Sequence, residues 1–269
     1  MSLPRLGCIF ATSLILAAPA ESRQSPSVPT GEQAVLLLQS SFTALKGSAS
    51  ALPSSLVASG TITQFQGVSK EEYPLRLLMR DADKFRWELN SAGGVKAVVI
   101  NHGEGQSQTT SGSKSLMPWE FAAKRLENFP MFLLSRWLSA DGIQVRFVGQ
   151  ETIEGQVLSR ISIVDVSQRL RPVNSWQRDA SLGQYELYID PTTSLPVRLR
   201  YYQETGDSTL SSLVLIDVVY SDFHSIGGSV FPFTLTRYMG TKKLSVIHLE
   251  STQPNGHVTD QDFAIRVKH

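Results

Sequence analysis

The sequence is poor in the groups that most often carry chemistry. It contains one cysteine, Cys8, and five histidines, His102, His224, His248, His257 and His269, which share no spacing. A metal-binding helix of the HExxH type needs two ligands at a fixed short interval, and none occurs. The nearest grouping is Asp217, Asp222 and His224 in DVVYSDFH. On a strand Asp222 and His224 share a face, but two side chains at a strand end make a poor ligand set against the ordinary reading of a strand-end turn. There is no strained GxSxG elbow for a nucleophilic serine, and SGSKS at 111–115 has the composition of a flexible polar loop. GEGQSQ lacks the third glycine and the following helix of a dinucleotide site, and no Walker phosphate loop is present. The carboxylate pairs Glu71 and Glu72, and Asp81 and Asp83, fall in expected turns. With no assembled acid, base or nucleophile, the sequence reads as non-enzymatic, without metal or cofactor.

Charge of one sign is missing as well. The 25 basic residues nearly balance the 24 acidic ones, and no five like charges are contiguous. Phosphate binding rests on basic clusters that release counterions, so nucleic acid is excluded as an expected partner. No apolar run reaches the ~20 residues of a membrane-spanning helix. The longest, from about Leu6 to Ala18, follows Arg5 and ends in Ala18-Pro19-Ala20, which reads as a secretory signal peptide over residues 1–20, cleaved near Ala20. Cys8 precedes the apolar segment instead of closing it, so it does not mark a lipidation site. Cleavage would remove Cys8 and Arg5, leaving a formally neutral chain without a thiol, exported and periplasmic.

What the sequence does have is alternation. After a Ser/Pro-rich spacer at 21–30, residues 31–269 show no internal repeat and no central linker, and read as one domain. A helix is expected from the capping box Thr30-x-x-Gln33, with Val35, Leu38, Phe42 and Leu45 as its apolar stripe, ending at Gly47. About eleven short strands follow at hairpin distance, with no alternating strand and long helix, so the fold class is mainly β and antiparallel. In YELYIDPTTSLPVRLRYYQ, residues 185–203, Tyr185, Leu187 and Ile189 alternate with Glu186, Tyr188 and Asp190, and Val197, Leu199 and Tyr201 with Arg198 and Arg200. This is a hairpin with one apolar face and one solvated face, on which Glu186 comes near an arginine of the return strand. One segment, Ser115 to Gly142, is helical instead, split by Pro130 and carrying Trp119, Phe121, Leu126, Phe129, Phe132, Leu133, Leu134 and Trp137. That apolar area exceeds one stripe. It fits either a plug of ordinary core or a flap over a cavity, hinged at Pro130. The longest irregular stretch, Asp165 to Gly183, fits a projecting loop.

The order of these pieces resembles the periplasmic lipoprotein-carrier superfamily of LolA, LolB and their relatives, which includes the RseB sensor domain. The resemblance rests on the leading helix, ASGTITQF and KFRWEL in a long meander, the glycine turn in INHGEGQ, the helical insertion, the LYIDPTTSLPVRL hairpin, VFPFTLTRY and the closing DQDF. It covers roughly residues 32–263. It implies a strongly curved antiparallel half-barrel sheet wrapping helices, with acyl chains held between them, and a partner that is a lipid, the acyl chains of a lipoprotein, or another cell-envelope protein. Carriers of this kind use an arginine to hold the lid closed; Arg76 and Arg86 lie opposite the apolar rows and do not match that role. The candidate lining is Leu75, Leu77, Phe85, Trp87, Trp119, Phe132, Trp137, Leu187 and Leu199. Two readings of that lining stay open, a lipid cavity and the filled core of a sensor or scaffold module.

Overall fold

The computed structural model describes residues 30–166, 183–205 and 212–265. The expected signal peptide, the spacer up to residue 29 and most of the loop between Asp165 and Gly183 lie outside the described residues. Helix α1 (Thr30–Lys46) is followed by strands β1 (Ser55–Gln66), β2 (Ser69–Arg80), β3 (Lys84–Ser91), β4 (Gly94–Asn101), β5 (Glu104–Thr109) and β6 (Gly112–Ser115). Helices α2 (Pro118–Arg125) and α3 (Pro130–Ser139) come next. The chain continues through β7 (Ile143–Ile153), β8 (Gln156–Asp165), β9 (Gln184–Ile189), β10 (Pro196–Thr205), β11 (Ser212–Ile226), β12 (Ser229–Met239) and β13 (Lys242–Pro254). A 3-10 turn at Asp260–Phe263 follows.

All thirteen described strands form one curved antiparallel sheet in the order β6-β5-β4-β3-β2-β1-β13-β12-β11-β10-β9-β8-β7. Two meanders are thus joined where the first strand pairs with the last, and β6 and β7, consecutive in the chain, stand at opposite edges. Their connection must cross a whole face of the sheet. That connection is α2 and α3, and it crosses the face carrying the apolar rows, because its own side chains have nowhere else to be hidden from water. On this concave side lie Leu75, Leu77 and Met79 of β2, Phe85 of β3, Ile161 and Ile163 of β8, Leu187 and Ile189 of β9, and Leu199 and Tyr201 of β10, all buried in one core with the helices. Pro130 and Pro118 each occupy the first turn of a helix, where a missing N–H costs nothing. Arg136 of α3 ties the two arms together, donating to Asp83 at 2.9 Å and Asp165 at 3.4 Å.

Several expectations are corrected. SGSKS is not a free loop; it supplies the short edge strand β6, paired with β5. In α1 the buried positions are Ala34, Leu38, Ser41 and Leu45, while Val35 is exposed, in a helix that packs on α3 and β7. The hairpin register does set Glu186 opposite Arg200, but Glu186 pairs with Arg160 and Arg200 with Asp217.

Nor is the convex face simply solvated. Tyr188 is fully buried there, under the Arg200 guanidinium 5.2 Å from its ring centre. A second small core of Leu78, Val99 and Phe263 also lies on that side. It exists because DQDF folds back: Asp262 caps Thr259, and Asn101 and Gln108 donate to the carbonyls of Phe263 and Ala264 at 3.2 and 3.1 Å.

Candidate functional site

Alternation along β12 places Phe231, Phe233, Leu235, Arg237 and Met239 in one inward row, in which Arg237 is the single charge. The register carries this row across the centre of the sheet. Leu235 stands opposite Ile247, which stands opposite Ile62; one step on, Arg237 stands opposite Ser245, and Ser245 opposite Gln64. An apolar row and a polar row therefore run side by side beneath α2. Above them is a cavity of about 100 Å³, lined by these six residues and by Leu77, Trp87, Val218, Tyr220, Lys124, Leu126, Glu127 and Asn128.

Its roof is the connection between the helices, Leu126 to Phe129. Leu126 and Phe129 are buried, and Phe129 packs edge-on against Phe231 with ring centres 6.3 Å apart. Glu127 turns into the polar row. Arg237 Nη1 donates to its carboxylate at 2.8 Å and Lys124 Nζ at 2.9 and 3.0 Å. Lys124 also lies 5.6 Å from the ring centre of Trp87, within cation–π range. Burial alone would push the Glu127 carboxyl up, but the two cations outweigh it and hold it below the usual carboxylate range. Burial pushes the neighbouring Tyr201 phenol up to about 12 against the pull of the Arg237 charge.

Of the sequence-derived candidates, Leu77 and Trp87 line this cavity. Leu75, Phe85, Phe132, Trp137, Leu187 and Leu199 are buried in the same core without lining the cavity: Trp137, for example, stacks on Tyr185 at 6.1 Å. Trp119 belongs to α2, and its side chain lies outside the described ones. Glu127 and Arg237, 110 positions apart, were missed. Each was legible as the one charge inside a mostly apolar run, LENFPMFLL and FPFTLTRYM.

The possible ligand cluster on β11 does not form. Asp217 faces the convex side and accepts from Arg200, whereas Asp222, at φ 56°, is exposed and pairs with the exposed His224 at 2.8 Å. Among the described residues no three His, Cys, Asp or Glu side chains converge. No helix among them is long and apolar enough to cross a membrane.

No family model matches the sequence, and no curated protein matches it. Solved structures do match the fold. A Vibrio parahaemolyticus domain provisionally assigned to outer membrane lipoprotein sorting superposes with a TM-score of 0.60 at 11% identity, over 87% of this chain and 97% of that one. A LolA superfamily protein from Nitrosomonas europaea gives 0.57 at 12%, over 88% and 99%. The chain has the LolA fold. A DUF1329 family protein from Desulfovibrio piger shares it, with a TM-score of 0.61 at 10% identity over 88% and 98%. The expected half-barrel around helices is thus the observed one. At such identities the likeness is one of fold, and the roles of Arg237 and Glu127 rest on the geometry of this chain alone.

Proposed function

We propose that this protein is an exported binder of acyl chains, of a lipid or a lipoprotein, and acts as a carrier in the cell envelope. The observation that carries this reading is the cavity beneath the α2–α3 connection, apolar on one side and shut on the other by the Glu127–Arg237 pair. Its volume of about 100 Å³ is smaller than the roughly 300–1,000 Å³ of ligand pockets in general. An acyl chain therefore enters only if the roof moves. The element that would move is α2, since Ala123 is its single buried residue among the described side chains, whereas α3 buries six. Pro130 separates the two helices, so α2 can swing while α3 remains a fixed plug. In this reading the pair from Arg237 to Glu127 is the closure that Arg76 and Arg86 do not provide. Each Å² of apolar surface the ligand buries contributes roughly 25 cal/mol before ordering costs.

A second reading is favoured by the tight burial of Phe132 and Trp137: a filled core, with the protein serving as an envelope sensor or scaffold that contacts another protein. Uptake of a fluorescent fatty acid separates the two. The carrier reading expects saturable uptake that Leu77→Asp and Trp87→Arg abolish while far-ultraviolet circular dichroism confirms folding. A folded wild-type protein that takes up none contradicts it.

A further inference from the structure

The cavity wall holds more hydrogen-bond donors than the protein uses. Tyr220 Oη and Arg237 Nε are buried and make no well-formed hydrogen bond among the described residues, although the equally buried Tyr201 phenol interacts with Arg237; Tyr220 and Arg237 line the cavity. A buried donor left unpaired is costly, and two around one space mark a place where an acceptor is received. Burial holds the Tyr220 phenol well above its ordinary range, so it remains a neutral O–H donor.

The same wall already holds one acceptor of defined chemistry. The Glu127 carboxylate sits between Arg237 Nη1 and Lys124 Nζ, and it belongs to the segment that must move for the cavity to enlarge. Two cations against one carboxylate leave the wall with a positive excess. The polar row of Gln64, Ser245 and Arg237 adjoins the apolar row of Ile62, Ile247 and Leu235, so the surface is matched to a molecule with a small anionic end and an apolar body.

Resting on the acyl-chain reading above, we propose that the ligand is a long-chain carboxylate whose head group displaces Glu127 from Arg237 and Lys124 and accepts from Arg237 Nε and Tyr220 Oη. The chain then lies along the apolar row. Exchanging one carboxylate for another conserves the charge of the pocket, so the cations are not left bare when the roof opens. The released Glu127 takes the α2–α3 connection with it, which couples ligand entry to opening. A carboxylate is the smallest anionic head group that makes these bonds, in keeping with the size of the cavity.

The test is displacement of the uncharged dye N-phenylnaphthylamine by laurate, methyl laurate, dodecanol and dodecyl phosphate, which share one chain length. The expected result is that laurate competes about tenfold or more better than the ester and the alcohol, the scale of a charge-assisted hydrogen bond. Glu127→Gln should tighten laurate binding more than ester binding, because it removes the competing carboxylate as well as the closure. Arg237→Met should erase the preference for the acid while dye and ester still bind. Should Arg237→Met fail to fold, the ligand series on the wild type and the Glu127→Gln comparison still decide. Equal competition by acid, ester and alcohol overturns the carboxylate assignment and leaves acyl-chain binding standing. Stronger competition by dodecyl phosphate overturns it in favour of a phosphate head. Absence of dye and ligand binding altogether removes the acyl-chain reading and this inference with it.

Discussion

Replacing Arg237 with methionine would leave Glu127 buried beside Lys124 alone. Truncating one partner of a buried pair costs about 3–5 kcal/mol; here Arg237 and Glu127 keep 21% and 15% of their side-chain surface exposed, which places the expected loss nearer 2–3 kcal/mol by urea unfolding. The double variant Arg237→Met with Glu127→Gln should recover a large part of that loss, because the buried carboxylate is gone and the one charge left, Lys124, is 27% exposed and can turn to water; a double variant less stable than the single would refute the pairing. The pH dependence has the same origin. The folded carboxyl is depressed, so its contribution is full above the ordinary carboxylate value of 4.5 and is lost as pH falls through the lowered folded one. Wild type should therefore lose more stability than Glu127→Gln between neutral pH and about pH 3. A parallel acid limb in both would contradict the account. Residue-scale features of this kind were readable only as anomalies, an arginine at an apolar position in TLTRYMG and a glutamate in LENFPMF. Nothing local says that the two meet across 110 positions.

The elements of the fold were mostly plain from alternation and breakers: both helices flanking Pro130, α1 up to Gly47, and nearly every strand had their signals in the chain. What was not plain had too little apolar content to show. The strand β6, GSKS, is made by pairing with β5 rather than by its own propensity, and the 3-10 turn gains its place from Phe263, which covers Leu78 and Val99. Helices α2 and α3 differ in how they are held, and this predicts a contrast. Leu134→Ala, at a position with no exposure, should cost about 2–5 kcal/mol. Phe121→Ala on the half-buried α2 should cost under about 2 kcal/mol and raise the rate of dye uptake. Equal destabilisation with unchanged uptake would mean that α2 is core and not a lid.

At the scale of the molecule, the pairing of the first strand with the last joins the two arms, and no local pattern announces it. The side-chain rows of β1 and β13 are ordinary; their union is fixed by topology, since α2 and α3 take up the only route between β6 and β7. Gly60 marks the seam. It lies at the register shift between β1 and β13, and a Cβ there would stand 2.0 Å from the carbonyl oxygen of His248, a backbone atom that cannot turn aside. Gly60→Ala should cost about 2–4 kcal/mol and loosen amide protection in both arms at once. The alternative between a filled core and a cavity is likewise a property of the whole chain, because both present the same apolar rows. Native mass spectrometry of the purified protein, followed by denaturation and organic extraction, addresses it most directly. The account predicts a native mass above that of the chain, with the excess recovered as a lipid in the extract. A well-folded protein at its bare chain mass, which stays so after incubation with lipid vesicles, would contradict it.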